Sequence, residues 1–439
     1  MTDAVVRLWG RDIGAVSWVD ARQLGVFQYL PEFVASGIAI APLTMPPSNE
    51  PYEFPALPRE SFKGLPGLLA DSLPDRFGNA LIDAWLAAQG RSPESFNPVE
   101  RLCYVGVRGM GALEFQPALT KRGPRSTALD VAALVELANR VLAERAGLHG
   151  TLQGDKSGTS TGEEDHAAIE DMLRVGTSAG GARAKAILAW NETTGEFRSG
   201  QLPAAEGFTY WLMKFDGIVN NRDKELADPQ GWGLVEYGYH LMAVAAGIEM
   251  MPCRLHHEGG RSHFMTRRFD RTAEGHKLHM QSLAALRHFD FNAAGAHSYE
   301  EALQTIRLLE LPAAALEQQF RRGVFNVLAR NQDDHVKNIA FLMERSGAWR
   351  LSPAFDLSYA HNPVGQWTSR HQMSLNGKLD GFDHADLVQF GATAGLRQRR
   401  SGEVIEEIAA QLRRWPQFAA QAGVPAPLAA RIGPAHRQV

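Results

Sequence analysis

Three oxygen-bearing side chains in the last third of the chain have the types and spacing that suit phosphoryl transfer. Asp333 and Asn338 stand five residues apart, and Asp356 follows them. Protein kinases use an Asp to orient the accepting hydroxyl, an Asn five positions later to hold one metal ion, and a further Asp to hold another. The spacing therefore indicates chemistry on a metal-bound nucleotide.

The residues between Asn338 and Asp356 are predicted to form a β-hairpin. The apolar runs 339–343 and 349–352 are typical of strands, and the polar residues 344–347 are typical of a turn. Antiparallel pairing would bring both ends of this hairpin to the same side. Two oxygen donors placed there could share a metal-bound triphosphate.

A glycine-rich segment and a lysine within a strand could complete a nucleotide site. Residues 176–185 carry three glycines ahead of a predicted strand, and glycines let N–H groups approach phosphate oxygens. The segment fails the Walker pattern, because Lys does not directly follow Gly181, and most such segments are only turns. Lys214 lies in the apolar run 210–215, where its ammonium either reaches the edge of the site or extends to solvent.

Residues 264–271 could bind adenine through their main chain or form a solvated basic strand.

Around these motifs the sequence predicts an α+β chain with a bilobed protein-kinase-like fold, in which a small N-terminal β-rich subdomain precedes a helix-rich C-terminal lobe. The expected units are an N-terminal α+β subdomain at 1–122, a nucleotide-binding lobe at 123–270 and a helical catalytic lobe at 271–439. Each of the main helices and strands is predicted from the spacing of its apolar residues. The predicted strands are 5–9, 13–18, 26–30, 37–40, 186–190 and 210–215, and the predicted helices are 76–88, 129–148, 313–329 and 401–414.

The amino-acid composition limits which partners and which compartment the sequence predicts. The chain has 439 residues, of which 44% are hydrophobic and 21% charged, with a formal net charge of -4. A pI near 6.4 argues against binding DNA by bulk attraction, so DNA contact is expected only through a partner. The two cysteines, Cys103 and Cys253, are expected to be reduced. Without a signal peptide or a long apolar run, the protein is expected to be cytoplasmic and free of the membrane.

The sequence resembles the HipA family of serine/threonine kinases, the toxins of bacterial toxin–antitoxin pairs, over nearly its whole length. The motifs that carry the resemblance keep a shared order along the chain. They are Leu73-Pro74-Asp75-Arg76-Phe77-Gly78, the segment from Ser178 to Lys185, Arg268-Phe269-Asp270-Arg271, Asp333-Asp334-His335-Val336-Lys337-Asn338 and Phe355-Asp356-Leu357.

The resemblance implies a role for each site residue, with ATP and Mg²⁺ as the ligands. Asp333 would be the catalytic base, and Asn338 and Asp356 the Mg²⁺ ligands. The implied nucleotide-binding residues are Ser178, Ala179, Gly180, Gly181, Lys185, Lys214, Arg267, Phe269, His335 and Lys337. Arg267 stands where the family often has Glu, which matters little if only main-chain atoms hold adenine.

The resemblance also implies regulation and partners. Ser178 aligns with the serine that the family autophosphorylates, and a phosphate there would add roughly -1.5 to -2 charge and repel ATP. The family phosphorylates proteins, among them aminoacyl-tRNA synthetases. This stalls translation, and the resemblance therefore implies a role in bacterial persistence. A small helix-turn-helix antitoxin that binds operator DNA would be the partner.

Three alternatives remain open from the residues themselves. A small-molecule kinase could use the same Asp–Asn–Asp set, because any hydroxyl could sit beside Asp333. A catalytically silent binding module could keep the same fold. A metal hydrolase built on Asp333, Asp334 and His335 is disfavoured, because the sequence offers no second cluster at ligand spacing.

Overall fold

The structure, a computed structural model, describes residues 2–118, 129–148, 183–201, 206–218, 222–223, 226–227 and 230–438. Its first sheet is antiparallel and has the order β3-β2-β1-β4. Trp9 and Gly10 both have positive φ, 50° and 81°, which suits the two-residue turn of a hairpin between β1 and β2. The predicted N-terminal antiparallel sheet is therefore confirmed. The strands are β1 Thr2–Leu8, β2 Arg11–Val19, β3 Leu24–Tyr29 and β4 Leu113–Gln116.

Five helices accompany this sheet, and all of them except α4 share its apolar core. Val6, Val16 and Phe27 are fully buried in the core that the sheet shares with them. Helix α4 begins with Asp75, whose carboxylate accepts a hydrogen bond from the N–H of Gly78 at 2.6 Å. The helix predicted over 76–88 is confirmed. The helices are α1 Pro31–Val34, α2 Arg59–Phe62, α3 Gly67–Ala70, α4 Arg76–Ala88 and α5 Pro98–Val105.

Residues 37–40 do not form a strand, so that prediction is wrong. Gly37 has φ of +71° and follows helix α1. The carbonyl of Ile40 accepts hydrogen bonds from His279 Nε2 and Gln281 Nε2, both at 2.9 Å. Because side chains from another part of the chain satisfy this carbonyl, the segment is held without a strand partner.

The second sheet is antiparallel and has the order β10-β11-β7-β5-β6. Helices α4 and α6 pack on it, and Leu81 and Val135 share one apolar core with Leu188 and Met213. Helix α7 packs against β10 and β11. The strands predicted over 186–190 and 210–215 are confirmed. The elements are α6 Val131–Leu148, β5 Lys185–Trp190, β6 Phe197–Ser199, β7 Thr209–Lys214, β8 Arg222–Asp223, β9 Leu226–Ala227, α7 Trp232–Ala245, β10 Cys253–Glu258 and β11 Arg261–Arg267.

Helices dominate the rest of the chain and surround a large apolar core. Helix α10 buries Phe320, Val324 and Leu328, whose spacing places them on one face. The helices predicted over 313–329 and 401–414 are confirmed within a few residues. The helices are α8 Leu283–Arg287, α9 Tyr299–Leu308, α10 Ala313–Leu328, α11 His384–Thr393, α12 Gln398–Leu412, α13 Trp415–Ala422 and α14 Ala426–Ile432.

A three-stranded antiparallel sheet, in the order β12-β14-β15, supports the predicted site. Strands β14 and β15 form the hairpin predicted between Asn338 and Asp356, and Leu342 pairs with Arg350. Short strands β13 and β16 pair in parallel nearby. The strands are β12 His279–Ser282, β13 His297–Ser298, β14 Ala340–Met343, β15 Trp349–Leu351 and β16 Met373–Ser374.

Buried polar contacts join the N-terminal unit to the remainder. Asp71 accepts hydrogen bonds from the N–H and the hydroxyl of Ser282, at 2.7 and 2.8 Å. The N–H of Gly111 donates to Asp270 Oδ2 at 2.7 Å. Among the helices of the described ranges, none has the length and apolar character needed to cross a bilayer.

Candidate active site

The loop that carries Asp333 follows helix α10 and is anchored at its start. Asn331 donates through its side chain to Asn326 Oδ1 at 2.9 Å, and its N–H donates to the carbonyl of Asn326 at 3.0 Å. The N–H of Gln332 donates to the carbonyl of Ala360 at 3.1 Å. Asp333 follows with its carboxylate 42% exposed, and Oδ1 lies 4.0 Å from His335 Nε2. The anchored loop therefore presents this carboxylate to solvent, where an acceptor hydroxyl could reach it.

Asn338 stands at the end of a 3₁₀ turn, Val336–Asn338, just before strand β14. Its Nδ2 donates to the carbonyl of Asp333 at 2.8 Å. Because the nitrogen is engaged in this way, the side-chain oxygen is the atom that can coordinate a cation. The same bond ties the predicted metal ligand to the predicted base.

Asp356 lies beyond strand β15 in a left-handed backbone conformation, with φ of 55°. Asp is one of the few non-glycine residues that adopt this conformation readily. Burial would raise the pKa of its carboxyl, but the ammonium groups of Lys214 and Lys185 overcome that effect and lower the pKa. Asp356 is therefore ionised at neutral pH. It lines the same small cavity as Asn338, so the hairpin brings the two predicted metal ligands together.

Lys214 ends strand β7 and contacts two carboxylates. Its ammonium donates to Glu236 Oε1 at 2.6 Å and to Asp356 Oδ1. Burial alone would lower the pKa of Lys214, but these two carboxylates raise it, so the group stays cationic. Arg183 Nη1 lies 3.8 Å from the other oxygen of Glu236. The strand lysine therefore reaches the site edge and does not extend to solvent.

Glu236 is a site residue that the sequence interpretation left unassigned. It is 3% exposed on helix α7, whose other buried residues are mostly apolar or aromatic. A carboxylate in such a helix needs a buried cationic partner. A glutamate among apolar helix residues therefore predicts a buried cationic partner, although the sequence does not show which lysine that partner is.

Lys185, predicted to bind nucleotide, begins strand β5 and is paired across units. Its ammonium lies 3.0 Å from Asp75 Oδ2, and the two side chains are only 2% and 4% exposed. Burial raises the pKa of Asp75, although Lys185, the N–H of Gly78 and Lys337 each lower it. The segment before helix α4 therefore contributes a buried carboxylate to strand β5 of the second sheet, a role that the sequence did not predict for Asp75.

His335 and Lys337 border the same region. His335 lines the cavity with Asn338 and Asp356. The ammonium of Lys337 lies 4.4 Å from the centre of the Phe291 ring. The structure thus brings His335 together with the metal ligands predicted from sequence, whereas the ammonium of Lys337 packs against Phe291.

The connector predicted to hold adenine is partly engaged with the protein itself. Arg267 ends strand β11, and its N–H donates to the carbonyl of Pro252 at 2.9 Å. Phe269 packs on Phe355 with ring centres 5.3 Å apart, next to Asp356. A main-chain contact from Arg267 to a base would therefore use its carbonyl. Four further predicted residues, Ser178, Ala179, Gly180 and Gly181, lie outside the described residues.

The donor set fits a magnesium ion that is shared with phosphates. Asn338 supplies an amide oxygen and Asp356 a carboxylate, and Mg²⁺ is commonly held by one or two such groups together with phosphate oxygens. Within the described ranges, no cluster of three or more His, Cys, Asp or Glu side chains could hold a metal alone. The cavity that Asn338 and Asp356 line has a volume of about 20 Å³, space for one water and too small for a triphosphate. A nucleotide would have to bind outside this cavity.

Comparisons with known proteins show the family and the fold of this chain. Residues 177–415 match the family model of the HipA-like C-terminal domain, and residues 4–116 match that of the HipA N-terminal domain. A solved complex from Shewanella oneidensis MR-1, of HipA, HipB and operator DNA, resembles this chain with a TM-score of 0.65. The match covers 98% of this chain and 95% of that chain at 17% identity, and it confirms the predicted bilobed fold.

A curated protein of Sinorhizobium fredii, "Putative kinase Y4dM", is 28% identical over 138 residues. The alignment covers 30% of this chain and 32% of that protein, so the chain spans about a third of the curated relative it matches. That likeness is local, whereas the two family models together account for most of the chain.

Proposed function

Because this chain belongs to the HipA family, we propose that it is an ATP-dependent serine/threonine protein kinase acting on a protein hydroxyl. The observation that carries the proposal is the contact of Lys214 with both Glu236 and Asp356, beside Asn338. Kinases use a strand lysine paired with a helix glutamate, together with Asn and Asp metal ligands, to hold a nucleotide. In this chain Lys214 ends strand β7, Glu236 lies on helix α7, and Asn338 and Asp356 flank the β14–β15 hairpin.

In this mechanism each residue has a task set by its position. Asp333 orients the acceptor hydroxyl and takes its proton, and its exposure gives a protein loop access. Lys214 stabilises negative charge on the transferring group, because the two carboxylates keep it protonated and in place. Asn338 and Asp356 would hold Mg²⁺, which when bound neutralises phosphate oxygens.

Ser178 would be the residue that the kinase phosphorylates on itself, and it lies outside the described residues. An aminoacyl-tRNA synthetase would be the substrate in trans. The partner would be a small helix-turn-helix antitoxin, since the Shewanella neighbour is a complex of HipA with HipB and operator DNA. Contact with DNA would be indirect, through that antitoxin, and the protein would act in the cytoplasm.

The test is phosphate transfer from labelled ATP by the purified protein, alone and with a cell lysate. We expect labelling of a lysate protein, identified by mass spectrometry, and phosphate at Ser178 of the kinase. The Asp333→Asn variant is the control and should label neither. Transfer to small molecules only would favour a metabolite kinase, and ATP binding without turnover would favour a silent binding module; either result would overturn the proposal.

A further inference from the structure

Asp334, the neighbour of Asp333, is buried and held by three donors. Its Oδ2 accepts hydrogen bonds from the Tyr299 hydroxyl at 2.6 Å and from His371 Nδ1 at 2.7 Å. Its Oδ1 accepts from the N–H of Gln372 at 2.8 Å. Burial raises the pKa of Asp334, but His371, Tyr299 and this N–H together lower it below the ordinary value. Asp334 is therefore an anchored carboxylate and not a second base.

The ring of His371 is fully buried and has a defined proton position. Its Nδ1 faces Asp334, while its Nε2 lies 2.8 Å from Arg437 Nη1. A guanidinium group has only donors, so Nε2 must accept and Nδ1 must carry the proton. Arg437 is itself held, because it donates to the carbonyl of Val327 at 2.7 Å and to Asp380.

These contacts form a chain from Arg437 through His371 to Asp334, and they end one residue from Asp333. The carbonyl of Asp333 is held on its other side by Asn338. The peptide that joins Asp333 to Asp334 is thus fixed from two directions. A rotation of the His371 ring would break its hydrogen bond to Asp334 and so remove one of these two restraints.

We propose that His371 is a positioning residue for the catalytic loop, with its tautomer set by Arg437. This inference rests on the proposed kinase function. His371 does not touch the reacting atoms and acts by fixing the direction in which Asp333 points. Misplacement of a catalytic group by about 1 Å can lower a rate on the order of 10²-fold. Lys214 and Glu236 are not part of this chain of contacts, so ATP binding should be largely retained when it is broken.

The first test is kinetic and uses the full chain. His371→Leu and Arg437→Leu should each lower kcat about 10- to 100-fold and leave the KM for ATP nearly unchanged. His371→Asn retains a donor for Asp334, and Arg437→Lys retains a cationic donor, so both should recover part of kcat. Arg413→Leu removes an exposed arginine paired with Glu406 and should behave as wild type.

The second test reads the proton directly and does not depend on activity. In protein carrying ¹⁵N-labelled histidine, long-range ¹H–¹⁵N spectra should show His371 protonated at Nδ1 alone. Its signals are identified by their loss in His371→Asn. A ring protonated at Nε2, or at both nitrogens, would overturn the inference even if the leucine variants fail to fold.

The outcomes also separate this inference from the proposed function. A wild-type protein that transfers no phosphate overturns both. An active wild type whose His371→Leu variant keeps its kcat, or loses only ATP affinity, overturns the positioning role and leaves the kinase assignment standing.

Discussion

The ammonium of Lys185 lies 3.0 Å from the carboxylate of Asp75, and this buried ion pair joins strand β5 of the second sheet to the N-terminal end of helix α4. Burial already raises the pKa of Asp75 in spite of its cationic neighbours. Lys185→Met should therefore leave a buried carboxylate without its cationic partner and lower the free energy of unfolding by about 3–5 kcal/mol. Denaturant unfolding monitored by circular dichroism would measure it.

The double variant of Asp75→Asn with Lys185→Met should regain most of that loss, because Asn also caps a helix well. The matched control is Asp83→Asn, which breaks a more exposed pair with Arg101 and should cost about 1 kcal/mol or less. Equal losses in Lys185→Met and in the double variant would show that the cation does not support Asp75.

Asp333 and Asp334 are adjacent, but replacing each with Asn should affect different properties: activity for Asp333 and stability for Asp334. Asp333→Asn changes a half-exposed carboxylate, so stability should stay within about 0.5 kcal/mol while transfer falls ~10²–10⁴-fold. Asp334→Asn removes the charge that three buried donors require and should mainly destabilise the protein. Thermal unfolding and phosphate transfer, measured side by side, would check both. Near-parental transfer by Asp333→Asn would remove that residue from the mechanism.

Asp356 and Asn338 should control the dependence on Mg²⁺. Asp356→Asn keeps a residue that tolerates φ of 55° but removes the charge, and Asn338→Ala removes an oxygen ligand. Each should raise the Mg²⁺ concentration needed for half-maximal transfer about 10- to 100-fold. Glu344→Gln, which neutralises an exposed carboxylate at the turn of the same hairpin, is the control. Unchanged titration curves would argue against both ligands.

Buried neutral histidines should make the protein less stable in acid. Burial lowers the pKa of His279 to about 4, although its bond to the carbonyl of Ile40 opposes the change. In the unfolded chain its pKa is about 6.5, so from there down to about pH 4 only the unfolded chain takes up the proton. Stability should fall with decreasing pH in that window, by about 1.4 kcal/mol per pH unit for this group.

His279→Gln can still donate to Ile40 and does not titrate. Its plot of unfolding free energy against pH should therefore have a smaller slope than that of the wild type between about pH 6.5 and 4. The difference should correspond to the uptake of roughly one proton fewer on unfolding. An unchanged slope would mean that His279 titrates equally in the folded and unfolded states. Above the window, the variant and the wild type should have parallel curves.

Local patterns were sufficient for the parts of the site that lie close together in sequence. Asn338 and Asp356 flank one hairpin, so the strand signals between them predicted that they would lie close together. Asp333 is five residues before Asn338 and is tied to it by one hydrogen bond. The roles of Asp75 and Glu236 could not be found in that way. Asp75 meets Lys185 across the boundary between two units, and a single sequence carries no record of such pairings.

The wrong strand at residues 37–40 has the same physical origin. Its composition favours a strand, but the partners of the Ile40 carbonyl are side chains of strand β12, far along the sequence. Tertiary contacts outweighed local preference there. The position of His371 beside Asp334 depends in the same way on an irregular segment whose course no periodicity describes.

The backbone pairing of the β14–β15 hairpin sets the separation of the two proposed magnesium ligands, Asn338 and Asp356. Phe341 pairs with Leu351, and Met343 with Trp349, so the rungs decide how far apart the flanking residues stand. Substitutions at the solvent tip, 344–348, would leave that spacing intact. A slip by a single residue pair would exchange the two faces of each strand and shift one proposed ligand relative to the other. The proposed coordination geometry therefore depends on main-chain register, so we expect the tip to tolerate substitutions that the paired residues would not.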